Sequence, residues 1–276
     1  MSVVVDRVSL EPTRRCSKGC AFCYNGSSPE DDGAWSEGDV VALAEDAARS
    51  GVRAISFGGG EPLEWPAIFG VLARTRGTLF RSLTTNGLPL EDERVLARLL
   101  AAKPEKVHVS IHAPENPREV TRVGRQVAAL ADAGVRSGVN LLVRRSRLAE
   151  ARAAVSSLRS AGIENDRLVL LPMRDAGGLE TPTPEEVASV AGPRFQSMSC
   201  LAGCAKSERF VSIAADRTVA WCSYTRTRRP LAALTWTAVL EALDGLGLEP
   251  CAGGLVRPRT LVAARQRSGF SEPARP

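Results

Sequence analysis

Short apolar segments alternate with segments of helical periodicity from residue 3 to residue 193 of this 276-residue chain. Between the first two apolar segments, for example, Val40, Leu43, Ala44 and Ala47 recur at helical spacing after Ser36, a residue suited to capping a helix. This alternation predicts an α/β fold with parallel strands. The predicted strands are Val3–Leu10, Ala54–Phe57, Arg81–Thr85, Lys106–Ile111, Ser137–Val143 and Arg167–Leu171.

Three cysteines follow the first predicted strand, in the sequence Cys16-Ser-Lys-Gly-Cys20-Ala-Phe-Cys23. This spacing supplies three thiolates from one compact loop. Structural iron–sulfur and zinc sites normally take four protein ligands, so three ligands without a fourth nearby leave one metal position open. The motif therefore predicts a [4Fe–4S] cluster whose free iron binds another molecule.

A glycine-rich loop, Gly58-Gly59-Gly60-Glu61-Pro62, follows the second predicted strand. Together the two motifs resemble the radical SAM superfamily, in which the free iron binds S-adenosylmethionine (SAM). The resemblance implies a partial (β/α)6 barrel of the TIM type over residues 1–193. It also implies that the three cysteines hold the cluster and that the glycine-rich loop accepts hydrogen bonds from the SAM ammonium group, with glycines allowing close backbone approach.

Further SAM-binding residues are expected at the carboxyl ends of the strands, because active-site residues of such barrels come from those ends. Asn86 closes the third strand, Ser110 ends the fourth, Asn140 lies on the fifth and Met173 follows the sixth. From the residues alone, Asn86 can equally form a simple turn and Ser110 a strand-end cap. The resemblance implies these cofactor-binding residues: Phe22 (against the adenine), Gly58, Gly59, Gly60, Glu61, Asn86, Ser110, Asn140 and Met173.

A second cysteine group, Cys200, Cys204, Cys222 and Cys251, lies beyond the predicted barrel. Residues 204–222 are predicted to form a hairpin, with its turn at residues 214–217. Cysteine, hairpin, cysteine, helix and cysteine in this order resemble the SPASM/Twitch extensions of radical SAM enzymes, which hold an auxiliary iron–sulfur cluster. The short, one-cluster Twitch form fits best.

A Twitch-type domain would span residues 194–260, followed by a helix end and a disordered tail over residues 261–276. Such extensions commonly carry a closely spaced cysteine pair after the helix, whereas this chain has only Cys251 there. Two alternatives follow. Either all four cysteines ligate an auxiliary [4Fe–4S] cluster, or Cys200, Cys204 and Cys222 hold that cluster and Cys251 is a free thiol in the active site.

These alternatives predict different reactions. A thiol can return a hydrogen atom to a carbon radical, as in an epimerase, whereas a nearby cluster can accept an electron from it, as in a dehydrogenase. The chain is similar to small radical SAM enzymes of aminoglycoside biosynthesis, which implies an epimerase of the type that converts neomycin C to neomycin B, with Cys251 as the catalytic hydrogen donor. The alternatives are a dehydrogenase of an aminocyclitol or sugar alcohol and a peptide-modifying SPASM/Twitch enzyme. The start of the chain close to its first strand disfavours the peptide enzyme, and the three-ligand motif disfavours a non-enzymatic electron carrier.

The net charge of +5 is spread over arginine-rich stretches such as residues 144–147 and 226–229, without interleaved aromatic residues, which disfavours nucleic-acid binding. No apolar run is long enough to span a membrane, and the N-terminus lacks signal-peptide features, so we expect a cytoplasmic protein. The expected partners are a small polycationic sugar and an electron donor, either a reductase or a flavodoxin or ferredoxin. The carboxylates available to hold the sugar are Glu30, Asp31, Asp32, Glu64, Asp175 and Glu180.

Overall fold

The computed structural model describes residues 5–31, 33, 35–175, 177–192, 195–197, 201, 207 and 209–249. The strands within them are β1 (Arg7–Leu10), β2 (Ala54–Phe57), β3 (Phe80–Thr85), β4 (Lys106–Ile111), β5 (Arg136–Val143), β6 (Leu168–Pro172), β7 (Gln196–Ser197), β8 (Phe210–Ile213), β9 (Thr218–Ala220) and β10 (Arg229–Pro230). The α-helices within them are α1 (Glu37–Arg49), α2 (Ile68–Arg74), α3 (Glu93–Ala102), α4 (Pro117–Asp132), α5 (Leu148–Ser160), α6 (Pro184–Ala191) and α7 (Trp236–Leu243).

These elements form two compact units. The first contains the described residues of 5–109, 126–137 and 207–249, and its strands lie in the order β10-β9-β8-β1-β2-β3-β4. Within this unit β8, β1, β2, β3 and β4 are parallel, and β9 and β10 are added antiparallel at the β8 edge. The second unit contains the described residues of 110–125 and 138–201, in which β5, β6 and β7 are parallel.

The predicted α/β fold with parallel strands is confirmed. All six strands of the predicted barrel form, as β1 to β6, and β2 and β4 have the predicted bounds. The predicted helix after Ser36 also forms, because the Ser36 hydroxyl accepts a hydrogen bond from Asp39 N at 3.1 Å and the apolar face of α1 is buried. Closure into a partial barrel and the domain boundaries at residues 193 and 260 stay predictions.

The predicted hairpin is present as β8 and β9. Ile213 pairs with Val219, and Ala214 N donates to Thr218 O at 2.9 Å across the turn. Arg217 has a φ of 62°, the left-handed conformation that tight turns require. The parallel pairing of β8 with β1, in which Val8 lies opposite Val211, was not predicted. Whether the hairpin belongs to a Twitch domain stays a prediction.

An ion pair between the buried Arg81 and the partly exposed Glu105 connects β3 to the helices beside it. The Arg81 side chain is fully buried, and its guanidinium donates to the Glu105 carboxylate at 2.6 and 2.8 Å and to the carbonyl oxygens of Leu72 and Lys103. A buried charge is tolerated only when it is paired and hydrogen-bonded in this way. The pair therefore holds β3, whose carboxyl end carries Asn86, against the ends of α2 and α3.

Among the described residues, no helix combines the length and the apolar character that a membrane crossing would need.

Candidate cofactor site

The three-cysteine motif lies in the loop that follows β1. Cys16, Cys20 and Cys23 are each half-buried. Cys16 N donates to Ser28 O at 3.0 Å, and Cys23 N donates to Cys20 O at 3.0 Å. These bonds fold residues 16–28 into one closed loop, which we call the cysteine loop, and leave the three thiols on it.

The chemistry of this donor set fits an iron–sulfur cluster, because soft thiolate donors from one loop are the ligands such clusters take. In the part of the chain that the structure describes, no three Cys, His, Asp or Glu side chains already surround a common point. Burial raises the pKa of the Cys16 thiol. Binding of metal would therefore release a proton from Cys16 as well as draw the thiols together.

The glycine-rich loop packs directly against the chain that leads into the cysteine loop. Gly58 N donates to Leu10 O at 3.1 Å, Gly60 N to Thr13 O at 3.0 Å and Glu61 N to Arg15 O at 2.8 Å. The resulting backbone-to-backbone contact joins the two motifs that the resemblance rests on.

The three glycines differ in what surrounds them. A Cβ atom at position 60 would lie 2.2 Å from Arg15 O, and one at position 59, where φ is +97°, would lie 2.6 Å from the Glu11 Cβ. At position 58 an added Cβ would meet nothing within 4 Å. Gly59 and Gly60 are thus required by close packing on the protein's own chain, whereas the space beside Gly58 is open to a ligand.

Glu61 connects this loop to the end of β3. Its carboxylate is buried and accepts hydrogen bonds from Leu63 N at 3.1 Å, Thr85 Oγ1 at 2.8 Å and Asn86 N at 2.7 Å. Asn86 in turn directs its Nδ2 to Cys16 Sγ, at 3.6 Å. Asn86 is therefore more than a turn residue, since it joins Glu61 to the first cysteine.

Burial raises the pKa of Glu61 from 4.5 to about 7, although its three hydrogen bonds act in the opposite direction. The folded state thus holds the proton more tightly than the unfolded chain, so the folded state loses stability as the pH rises from about 4.5 through 7. We expect this one group to lower the free energy of unfolding of the cluster-free protein by about 3 kcal/mol across that window. Urea denaturation at pH 5 and pH 8 measures the change.

The matched variant for that measurement is Glu61→Gln, which cannot ionise. It should lose stability by a smaller amount between pH 5 and pH 8 than the parent protein does. An identical pH dependence in the two proteins would show that Glu61 does not titrate in this range.

Glu64 is engaged by the cysteine loop. Its carboxylate accepts from Ser17 N at 3.0 and 3.1 Å and from Ser17 Oγ at 2.6 Å. Asp175 is similarly occupied, accepting from Leu179 N at 2.9 Å and from Thr181 Oγ1 at 2.7 Å within its own loop. Two of the carboxylates suggested for binding a polycationic sugar therefore hold loops together.

Three of the remaining predicted SAM contacts lie in the second unit. Ser110 and Asn140 are buried, on β4 and on β5, where Asn140 lies opposite Val169. Met173 is half-buried, and its N–H donates to Val143 O at 2.8 Å. Their roles toward SAM stay predictions, as does that of Phe22, which is half-buried beside Cys23.

Residues 10–180, which contain both motifs and the strands that carry them, match the model of the radical SAM superfamily. The chain belongs to the radical SAM superfamily. Membership implies a SAM-binding [4Fe–4S] cluster and SAM itself as cofactors, and the chain is accordingly a radical SAM enzyme.

Curated relatives in this superfamily include a GTP 3',8-cyclase of Streptomyces coelicolor, 33% identical over 148 residues that cover 47% of this chain and 41% of the relative. The GTP 3',8-cyclase of Heliobacterium modesticaldum is 36% identical over 131 residues, 43% of this chain and 38% of the relative. The match spans about two fifths of each curated relative.

Solved radical SAM structures share the fold at low sequence identity. Streptococcus suis SuiB bound to SAM has a TM-score of 0.69 at 15% identity, covering 88% of this chain and 67% of SuiB. The enzyme anSMEcpe with bound SAM has a TM-score of 0.63 at 15% identity, covering 85% of this chain and 77% of its own. At this identity the likeness establishes the fold alone.

Of the second cysteine group, Cys222 is described, and it lies half-buried just after β9. Cys200, Cys204 and Cys251 lie outside the described residues. The auxiliary cluster and the role of Cys251 therefore stay predictions for this radical SAM enzyme.

Glu11 was not among the predicted site residues, although it directly follows β1 and lies beside Gly59. The signal was present in the sequence, because the rule that nominated Asn86 and Ser110 from strand ends applies equally to the residue that ends the first strand.

Proposed function

We propose that this chain cleaves SAM reductively at the cysteine loop and uses the resulting radical to epimerise a small polar substrate. The observation that supports the first part is the direct joining of the two motifs, through Gly60 N to Thr13 O, Glu61 N to Arg15 O and Asn86 Nδ2 to Cys16 Sγ. When bound, the cluster and SAM would supply a 5′-deoxyadenosyl radical that takes a hydrogen atom from a substrate C–H bond.

The chain's own residues would prepare that step. Cys16, Cys20 and Cys23 would bind the cluster, and the carbonyl groups of the glycine-rich loop would receive the SAM ammonium group where Gly58 leaves open space. Glu61 and Asn86 would fix the distance between these two loops. Phe22, Ser110, Asn140 and Met173 would hold the rest of SAM.

The epimerase assignment depends on Cys251. In this proposal its thiol gives a hydrogen atom to the substrate carbon radical on the face opposite to abstraction, so a C–H bond forms as the S–H bond breaks. Restoring the thiol from its thiyl radical needs one electron and one proton, which a reduced iron–sulfur cofactor and solvent would supply. The carboxylates of Glu64 and Asp175 give this proposal no support as sugar-binding groups, since both are engaged locally.

A second candidate is cyclisation of a nucleotide, which the sequence identity to GTP 3',8-cyclases favours. The match covers less than half of those relatives. The net charge of the chain, +5, suits an anionic nucleotide better than a polycation.

The test is an anaerobic reaction of the reconstituted protein with SAM and dithionite in deuterated water, with neomycin C and GTP in separate vessels. Mass spectrometry should detect 5′-deoxyadenosine in both reactions. In the reaction with neomycin C it should also detect an epimerised sugar that carries one carbon-bound deuterium. Cys251→Ala is the matched variant, and it should keep SAM cleavage but lose deuterium incorporation.

Other outcomes assign other reactions. A product two hydrogens lighter identifies a dehydrogenase, and a cyclised GTP identifies the second candidate. A wild-type protein that carries its iron–sulfur cluster and still leaves SAM intact after reduction would overturn the proposal as a whole.

A further inference from the structure

Glu11 is a buried carboxylate that binds the two residues following the last cysteine of the cysteine loop. The residue is 3% exposed. One carboxylate oxygen accepts from Tyr24 Oη at 2.8 Å, and the other accepts from Asn25 Nδ2 at 3.3 Å. Tyr24 and Asn25 directly follow Cys23, so Glu11 binds the cysteine loop next to this predicted cluster ligand.

Asn25 carries this contact on to the cysteine itself. Its Oδ1 accepts from Cys23 Sγ at 2.9 Å, and also from Ser27 N at 3.2 Å and Ser27 Oγ at 2.7 Å. The Oδ1 atom of Asn25 thus accepts from three donors, and its Nδ2 atom donates to Glu11. Only one orientation of the Asn25 amide satisfies all of these partners. In the cluster-free protein the Cys23 thiol is therefore linked to Glu11 through a single side chain. A thiolate that binds iron has no proton to donate, so with a cluster bound the link from Glu11 to Cys23 runs through the backbone between Cys23 and Asn25.

Glu11 also contacts the other parts of the first unit that bear on the site. Gly59 lies so close that a Cβ there would be 2.6 Å from the Glu11 Cβ. The pKa of Glu11 is raised, because the effect of burial outweighs the opposing effects of the hydrogen bonds from Tyr24 and Asn25 and of the nearby charge of Arg228. Arg228 is itself fixed to the hairpin, donating to Thr218 Oγ1 at 2.8 Å.

A pair of aromatic rings joins the cysteine loop to the segment that follows β9. The Tyr24 and Tyr224 rings lie 4.6 Å apart between centroids, tilted by 41°. Tyr224 N donates to Cys222 Sγ at 3.4 Å. The ring contact thus connects the residue after Cys23 with a residue two positions after Cys222, and Glu11 accepts the hydrogen bond of the Tyr24 hydroxyl.

We propose that Glu11 is a positioning residue, which holds Cys23 through Tyr24 and Asn25 in the place where it binds the cluster beside the glycine-rich loop. This inference rests on the proposed SAM chemistry. Removing the carboxylate leaves the Tyr24 hydroxyl and the Asn25 amide without the acceptor that holds them, and outer partners of metal ligands typically affect metal affinity 10- to 100-fold. Glu11→Ala should therefore hold iron at the cysteine loop less tightly than the wild-type protein and bind SAM about 10-fold more weakly.

The first test needs no cluster. The chain contains two tyrosines, and a protein labelled with 3-fluorotyrosine should give two ¹⁹F resonances, which Tyr24→Phe assigns. In the cluster-free protein, Glu11→Ala should shift the Tyr24 resonance, through the lost hydrogen bond, and the Tyr224 resonance, through the ring contact. The control is Thr75→Val, which removes a buried hydroxyl bonded to Val71 O at 2.7 Å, away from the cysteine loop. It should move neither resonance.

The second test uses the reconstituted protein and the change in its EPR spectrum on addition of SAM, which reports only a cluster with an open iron. Glu11→Ala should require about 10-fold more SAM for this change than Thr75→Val does. It should also release iron to a chelator faster than Thr75→Val, when the two variants have similar melting temperatures. Glu11→Gln should largely restore both, because its amide oxygen accepts from Asn25 and its amide nitrogen can donate to Tyr24 Oη.

Wild-type SAM affinity and iron retention in folded Glu11→Ala would overturn the inference, as would an unchanged Tyr24 resonance. If Glu11→Ala does not fold, Tyr24→Phe takes its place in the EPR test and should weaken SAM binding in the same direction. A wild-type protein with no SAM-dependent EPR change contradicts the proposed function instead, and the ¹⁹F shifts then still decide whether Glu11 holds the loop.

Discussion

Replacing Cys16 with alanine should abolish SAM cleavage in the reduced, reconstituted protein. The cysteine loop offers three thiols and the chemistry needs all of them, because the fourth position belongs to SAM. Loss of a residue that only orients a metal ligand already costs 10- to 100-fold in affinity or activity, so loss of the ligand itself should lower 5′-deoxyadenosine formation by more than about 100-fold. Mass spectrometry of 5′-deoxyadenosine per chain measures this.

The comparison variant for Cys16→Ala is Cys222→Ala, which removes a half-buried thiol outside the cysteine loop. It should reduce product formation more than SAM cleavage and keep the SAM-dependent EPR change that Cys16→Ala loses. SAM cleavage at the wild-type rate in Cys16→Ala would mean that a different set of thiols binds the cluster.

Gly60→Ala should destabilise the cluster-free protein, and Gly58→Ala should not. At position 60 the new methyl group would lie 2.2 Å from Arg15 O and 2.8 Å from the Arg14 carbonyl carbon, so the glycine-rich loop must move away from the chain beside it. That movement strains the hydrogen bonds from Gly60 N to Thr13 O and from Glu61 N to Arg15 O. Overpacking of this kind typically costs about 1–3 kcal/mol in the free energy of unfolding.

Gly58 provides the matched control, because its added methyl group would meet nothing within 4 Å and its φ is not in the left-handed region. Urea denaturation should place Gly58→Ala within about 0.5 kcal/mol of the parent protein. After reconstitution, Gly60→Ala should also cleave SAM more slowly, since the displaced loop carries Glu61. Equal stability of the two variants would show that the loops do not pack as closely as described.

The elements of the fold could be predicted from local sequence, but their arrangement only in part. The period of apolar residues identifies a helix such as α1 and a strand such as β2, because each signal lies within its own segment. The pairing of β8 with β1 depends on contacts between segments that are distant in sequence, and a strand of four residues carries too little information to name its neighbour.

The candidate site likewise contains features that local sequence predicts and features that depend on contacts in the folded chain. The cysteine spacing and the glycine-rich loop could be identified because the chemistry requires fixed spacings. The contacts of Glu64 could not be predicted, because an acidic residue in a loop has the same sequence appearance whether it faces a substrate or, as here, accepts hydrogen bonds from Ser17. The Glu11 contacts require the folded chain, since Tyr24 and Asn25 reach it from 13 and 14 residues away.

The parallel pairing of β1 with β8 has a consequence for biosynthesis. The strand that leads into the cysteine loop lies between β2 and β8, and Arg209, next to β8, forms an ion pair with Asp6 across a separation of 203 residues. Chains are synthesised from the N-terminus at about 5–20 residues per second, so on a ribosome β1 waits at least about ten seconds for this neighbour. The thiols that would bind iron therefore emerge long before their support is complete, and we expect a stable cluster to form only after β8 has been synthesised.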